Sequence, residues 1–208
     1  MGIQKYEEMN ALAIDMLREL GSIGGGNAAT ALSSMLNAKV NMALPEVKIM
    51  GFNQAMHLLG HPEELVAAIF VEMSGEMHGV MLFILTKEFS DAILEKMLGK
   101  SSADFLALEE IDTSVLTEIG NIVISSYVTA MSSLCNVEVE LSVPQFTVNM
   151  LGGIMSVPIA MMGQHSDRIM MITGKFKIDG RALDSNMLLL PDVESLNVLM
   201  KKLGVIDG

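Results

Sequence analysis

Tryptophan is absent from the 208-residue chain, and cysteine occurs once, at Cys135. A lone cysteine excludes an intramolecular disulfide. Neither it nor the four histidines stand at structural-zinc spacing, so a reduced compartment and no metal site are expected. Aromatic residues make up only 4%, and 13 basic residues face 25 acidic ones for a formal charge of −12. Nucleic acid repels such a surface and finds few rings to stack on, which excludes it as a partner. Long apolar runs are missing as well. Segments such as 81–85 and 187–190 fall far short of the roughly 20 residues that cross a bilayer. The first ten residues are polar and lack the apolar stretch of a signal peptide, so the expectation is a cytoplasmic protein with no membrane partner. What is plentiful is core material: 50% of residues are apolar, against 18% charged. Methionine, at 20 residues, supplies flexible side chains for irregular gaps.

Shifting the chain by 99 positions lays it on itself. Glu19, Gly21 and Ile23 fall on Glu118, Gly120 and Ile122, Thr30-Ala31 on Thr129-Ala130, Ser33-Ser34 on Ser132-Ser133, Asn37 on Asn136, Val40 on Val139 and Pro45 on Pro144. About ten of some thirty positions agree without a gap, a self-similarity that marks an internal repeat. Further on, the match at Gly99 and Gly204 requires several extra residues in the second copy. The repeats run approximately over 8–100 and 107–205, with a turn near 99–104 between them, inside a single domain spanning 1–208.

Each copy opens with helical periodicity. Met9, Leu12, Met16, Leu20 and Ile23 form the expected apolar stripe in the first, and Leu108, Ile111, Val115, Ile119 and Ile122 in the second. β-like stretches follow at 40–44 or 47–50, 65–72 and 78–85, then at 137–143, 154–161, 168–177 and 187–190. Short helices near 88–98 and 192–203 close the copies, with Gly99 and Gly204 placed to end them. A half of this kind cannot bury a sheet face alone. The expected fold is therefore α+β, with two pseudo-twofold-related helix–strands–helix repeats sharing one largely antiparallel sheet. Such internal symmetry already supplies what a dimer would, and a monomer is expected.

Polar residues recur beside the stripe at positions that core packing does not explain. Asp15, Glu19 and Ser22 stand at i, i+4 and i+7, as do Ser114, Glu118 and Asn121. At about 100° per residue each trio gathers on one flank of its helix. A proline follows 23 positions after Ser22 and after Asn121, at Pro45 and Pro144. A lone Glu-x-x-Asn would be read as a solvated face. Repetition with its proline at fixed spacing makes Glu118 and Asn121 candidate catalytic residues.

The pattern Asp/Ser-x3-Glu-x2-Asn-x22-Pro resembles the signature of the CheC, CheX and FliY phosphatases of chemotaxis. Residues Ser114, Glu118, Asn121 and Pro144 meet every term, whereas Ser22 departs from it in the first copy. The resemblance implies an enzyme that removes the phosphoryl group from the phospho-aspartate of a CheY-type response regulator. Asn121 would orient the attacking water, Glu118 would pair with a cation of the substrate, and Ser114 would touch the docked protein. Pro144 would support the site. Mg²⁺ would arrive with the substrate, leaving no cofactor of the chain's own. Asp15, Glu19, Ser22 and Pro45 would form a degenerate second site. The alternative is a non-catalytic module, a partner of the deamidase CheD or a flagellar-switch-like protein.

Other motifs carry less. The glycines of 21–27 lack the Lys and Ser/Thr of a phosphate loop and fit a close approach of two helices better. His57, His61, His78 and His165 read as surface or turn residues, and Cys135, in an apolar stretch, as inert core.

Overall fold

The computed structural model describes residues 9–100, 104–162 and 168–206. Part of the turn expected at 99–104, and His165, lie outside them. The first repeat runs α1 (Ala11–Leu36), β1 (Val40–Met42), β2 (Glu46–Gly51), α2 (Phe52–Leu59), β3 (Leu65–Gly75), β4 (Gly79–Leu85), α3 (Lys87–Leu98). The second runs α4 (Glu110–Cys135), β5 (Val139–Leu141), β6 (Gln145–Met150), α5 (Leu151–Met162), β7 (Arg168–Ile178), β8 (Arg181–Pro191), α6 (Val193–Lys202). The 99-residue offset holds from the start of α1 and α4 to the start of α2 and α5. The extra residues of the second copy enter after Leu151, since β7 begins 103 positions after β3. Both long helices end on an asparagine in the left-handed conformation, Asn37 at φ 45° and Asn136 at φ 49°, a residue type that tolerates that region.

The α+β fold with one shared antiparallel sheet is what the structure has, but the halves interlock more deeply than side by side. Across the sheet the order is β1 and β2, then β7, β8, β4, β3, and finally β5 and β6. Strands β1 and β2 of the first repeat lie along β7 of the second, while β5 and β6 of the second lie along β3 of the first. The pseudo-twofold axis falls where β4 meets β8. There Phe83 pairs with Met187, each being also the partner of an equivalent isoleucine, Ile69 and Ile172.

Both sheet faces are covered, so interior strands are apolar throughout rather than alternating. Helices α1 and α4 take one face. A Cβ built on Gly21 would stand 3.5 Å from Ile172, and one on Gly120 would stand 2.6 Å from Ile69. Each long helix thus rests on a strand of the opposite repeat. Residues Phe70 and Leu82, of the other face, border a cleft with Ile154 and Val157 of α5.

Three sequence expectations are corrected. Residues 154–161, expected as a strand, belong to helix α5. Leu151, Ile154, Met155 and Pro158 are its buried positions, a helical i, i+3, i+4, i+7 spacing. Pro158 also lacks the N–H that an interior strand needs. Where one strand is expected at 40–44 or 47–50, strands β1 and β2 stand on either side of Pro45, and the short helix α2 follows them. The apolar stripe is also rotated. Leu12 and Ile111 are about half exposed, at 52% and 51%, and Ile23 and Ile122 are only partly buried. Leu20, Val115 and Ile119 are buried as expected, and the buried lines run on through Ala13, Leu17, Gly24 and Ala28 in α1 and through Val123 and Tyr127 in α4.

Small residues take the buried line because α1 and α4 cross at contact distance. A Cβ on Gly24 would lie 2.9 Å from the Cα of Tyr127. The symmetry-related positions are Val123 and Ala28, both fully buried, again large opposite small. Because the obstacle at Gly24 is backbone, Gly24→Ala is expected to part the helices and destabilise by about 1–3 kcal/mol. A lowered urea midpoint with unchanged m-value would register it.

Helix α4 is fixed at its start by charge. Lys100 Nζ lies 2.7 Å from Asp112 Oδ1 and 2.7 Å from Glu109 Oε2, and the Glu109 N–H donates to Asp112 Oδ2 at 3.0 Å. The Lys100 ammonium first, and then the Glu109 N–H, hold the carboxyl of Asp112 below its ordinary 3.8. The folded chain therefore sheds this proton at lower pH than the unfolded chain. The resulting stability is present in full above the ordinary value and lost as pH falls through the depressed one. Asp112→Asn is expected to lower stability at pH 7 and to flatten its decline below about pH 4, measured by urea titrations across that range.

Candidate functional site

On α4, the flank opposite the buried line carries Ser114, Glu118 and Asn121. Ser114 is exposed, and its hydroxyl donates to the Glu110 carbonyl at 2.8 Å. Glu118 is exposed and makes no hydrogen bond or ion pair with any described residue. Asn121 is half-buried, and its Oδ1 accepts from the Ser125 hydroxyl at 3.3 Å. Ser125 stands one turn further along the same flank and restricts the carboxamide while leaving one lone pair of its oxygen and both N–H donors free.

The strand-breaking Pro144 enters from the sheet side. Helix α4 packs on β5 and β6, and Pro144 lies in the 142–144 link between those strands. The link is pinned at Ser142. Its N–H donates to the Glu72 carbonyl at 3.0 Å, and its hydroxyl accepts from the Glu72 N–H at 3.0 Å. Val143, just beyond, is 83% exposed.

The first copy places its residues on the same frame with different chemistry. Asp15 Oδ1 is engaged by Arg18 at 2.6 Å, where the second copy has Thr117, whose hydroxyl turns back to the Thr113 carbonyl. Lys48 above all, and Arg18 more weakly, keep Glu46 below the ordinary carboxylate range. Glu19 is exposed like Glu118. Ser22 and Pro45 do come together, in a cleft with Gly26, Met42, Ala43 and Leu44. Gly26 is the counterpart of Ser125, so both the carboxamide and the hydroxyl that steadies it are missing here. Beneath the cleft, the thioether of Met42 crosses Gly25 and Gly174 and receives the Tyr127 O–H at 3.7 Å. In the second copy the matching positions are Leu141, Ile124 and Val71.

Sequence reasoning missed Ser125, Ser142, Gly26 and Arg18. The first had a usable signal, since it lies four residues beyond Asn121 and its counterpart is glycine. Ser142 had none, because its role depends on β3, 70 residues away in sequence. Among the described residues no three His, Cys, Asp or Glu side chains gather as a metal site, and no helix is long and apolar enough to cross a membrane. His61 accepts from the Glu63 N–H in a turn. Cys135 is buried, which pushes its thiol above its usual range.

Comparison with known proteins agrees with this layout. The profile of the CheC-like family matches residues 12–49 and again 111–148, covering the long helix, the proline and the strand beyond in each copy. The CheY-P phosphatase CheC of Bacillus subtilis is 32% identical over 197 residues, 92% of this chain and 93% of that protein. The flagellar motor switch phosphatase FliY of the same organism is 28% identical over 69% of this chain, which spans 37% of that longer protein. Among solved structures, Thermotoga maritima FliY superposes with a TM-score of 0.75 at 19% identity, over 95% of this chain and 98% of that one. The FliM middle domain from H. pylori superposes with a TM-score of 0.70 at 15% identity, over 93% and 99%. The last two likenesses speak for the fold, and the near full-length identity to CheC speaks for descent. With both halves matched and the interlocked repeats in place, the chain belongs to the CheC-like family.

Proposed function

We propose that the chain hydrolyses the phospho-aspartate of a CheY-type response regulator at the Asn121 site. The observation that carries this reading is the Glu118–Asn121 pair on the outer flank of α4, with Glu118 exposed and Asn121 half-buried and steadied by Ser125. The chain-long identity to a protein named as a CheY-P phosphatase supports it.

Phosphoryl transfer through a loose transition state asks for positioning more than for a strong base. Asn121 suits that task, because its oxygen can accept from a water while its N–H donors face the phosphoryl oxygens, and it does not titrate. The water oxygen attacks phosphorus, the acyl oxygen–phosphorus bond breaks, and the regulator's carboxylate leaves with the bonding pair. The water proton passes to the phosphate formed. Glu118, unpaired in this chain, is available to a cation of the docked regulator. Mg²⁺ enters with the regulator's own acidic pocket. A purely binding role, toward CheD or a flagellar-switch component, finds its support in the first copy, where Ser22 and Gly26 replace Asn121 and the serine that steadies it. The intact second copy favours catalysis.

Turnover of phosphorylated regulator tests this directly. Asn121→Ala is expected to lower kcat about 10²-fold with KM little changed, whereas Glu118→Ala should impair both. Full activity in Asn121→Ala would remove the proposal. The first copy is expected to be feeble, since a serine hydroxyl ends one bond short of a carboxamide, and a displacement of about 1 Å costs on the order of 10²-fold. Ser22→Ala should therefore change total activity little. A Cβ on Gly26 meets nothing within 4 Å, so the pair Ser22→Asn, Gly26→Ser can be built into an Asn121→Ala background. It should recover measurable turnover, and more than Ser22→Asn alone.

A further inference from the structure

The large apolar side chains left in solvent are not scattered evenly. Leu12 and Ile111 hold the same place in the two long helices, at 52% and 51% exposure. Leu44 and Val143 hold the same place before the two prolines, at 73% and 83%. A single exposed aliphatic needs no explanation. Two pairs recurring at equivalent positions do, because the residues between them have diverged: Asp15 against Ser114, Arg18 against Thr117, Ser22 against Asn121. Core packing accounts for none of the four at such exposure.

Their placement is specific. Ile111 precedes Ser114 and Glu118 by three and seven residues, which sets it on the same flank one and two turns away. Val143 adjoins Pro144 on the sheet side. In the first copy, Leu44 borders the cleft of Ser22, Gly26 and Pro45 directly. Each copy thus presents an exposed, unpaired glutamate, Glu19 or Glu118, with one exposed aliphatic on the same helix flank, Leu12 or Ile111, and a second before its proline, Leu44 or Val143. That is the make-up of a protein-docking footprint, with a polar centre and apolar contacts that close it against water.

We propose that Leu12 with Leu44, and Ile111 with Val143, are two equivalent clamps for the same phosphorylated regulator, and that the first copy holds this partner without hydrolysing it. The identity of the occupant rests on the phosphatase reading above, since the second clamp is continuous with the Asn121 site. The first clamp keeps the footprint, and Arg18 adds a cation beside it in place of Thr117. A phosphoryl group seated there would meet no carboxamide to aim a water.

The test is stoichiometry, with the cognate CheY-type regulator activated by beryllofluoride so that nothing turns over. Isothermal titration or sedimentation is expected to give two regulators per wild-type chain. Leu44→Ser should remove one, and Val143→Ser should remove the other or weaken it about tenfold. In steady-state assays Val143→Ser and Ile111→Ser should raise KM about tenfold while kcat at saturation is retained. One regulator per wild-type chain, or two still bound at full affinity by Leu44→Ser, overturns the proposal. These side chains lie at the surface, and melting curves identify any variant that fails to fold, for which Leu12→Ser replaces Leu44→Ser. Dephosphorylation by the wild-type chain is measured alongside. If it is absent while two regulators bind, the phosphatase reading fails and the clamps stand.

Discussion

Exchange between the halves is the constraint on which the rest of the structure depends. Neither repeat can complete its sheet, because the edge of β3 is covered by strands of the second copy and the edge of β7 by strands of the first. The long helices follow the same exchange, with Gly21 lying on Ile172 and Gly120 on Ile69. An unpaired edge and an uncovered apolar face are both costly in water. The halves are therefore stable only together, and the two polar flanks are placed by one frame rather than by two independent domains.

That frame fixes how near the helix lies to the sheet, and so where the site residues project. Gly120 sits between Glu118 and Asn121 in sequence but faces inward, bringing α4 close onto Ile69 of β3. In the first copy Gly21 lies against Pro45 itself, whose ring would be 3.3 Å from a Cβ on that glycine. Proline serves here for its rigidity and its missing N–H. It breaks the ladder between β1 and β2, and between β5 and β6, and turns the link toward the helix.

Much of this was legible in the sequence, and what was not has physical causes. The repeat, the flank positions of Glu118 and Asn121 and the two prolines follow from spacing, which survives in one dimension. The strand exchange does not, since an offset of 99 positions says that two units are alike and nothing about which edges they share. The buried stripe was misplaced because hydrophobicity pointed to Leu12 and Ile111, whereas the crossing of α1 and α4 selects for small size at Gly24 and Ala28. Helix α5 reads as a strand because Ile154, Val157 and Ile159 are branched and apolar. Proline at 158 and the spacing of Leu151, Ile154 and Met155 were the better guide.

The inequality of the two sites follows from where they stand relative to this frame. Residues that hold the halves together, such as Gly21, Ile172 and Pro45, point inward, while Ser22, Gly26 and Arg18 lie on the outer flank or its margin. Losing the carboxamide and its supporting hydroxyl therefore removes no core contact. Beneath that flank the first copy has also loosened, with Met42 spanning Gly25 and Gly174 where the second copy has Leu141, Ile124 and Val71. A thioether with three rotatable bonds adapts to such a gap, whereas branched side chains have fewer rotamers and hold their neighbours in place. Catalysis by positioning needs the rigid floor, but docking needs only a surface of the right shape and charge. The fold can thus keep two copies of the docking surface while only one carries the groups that aim a water.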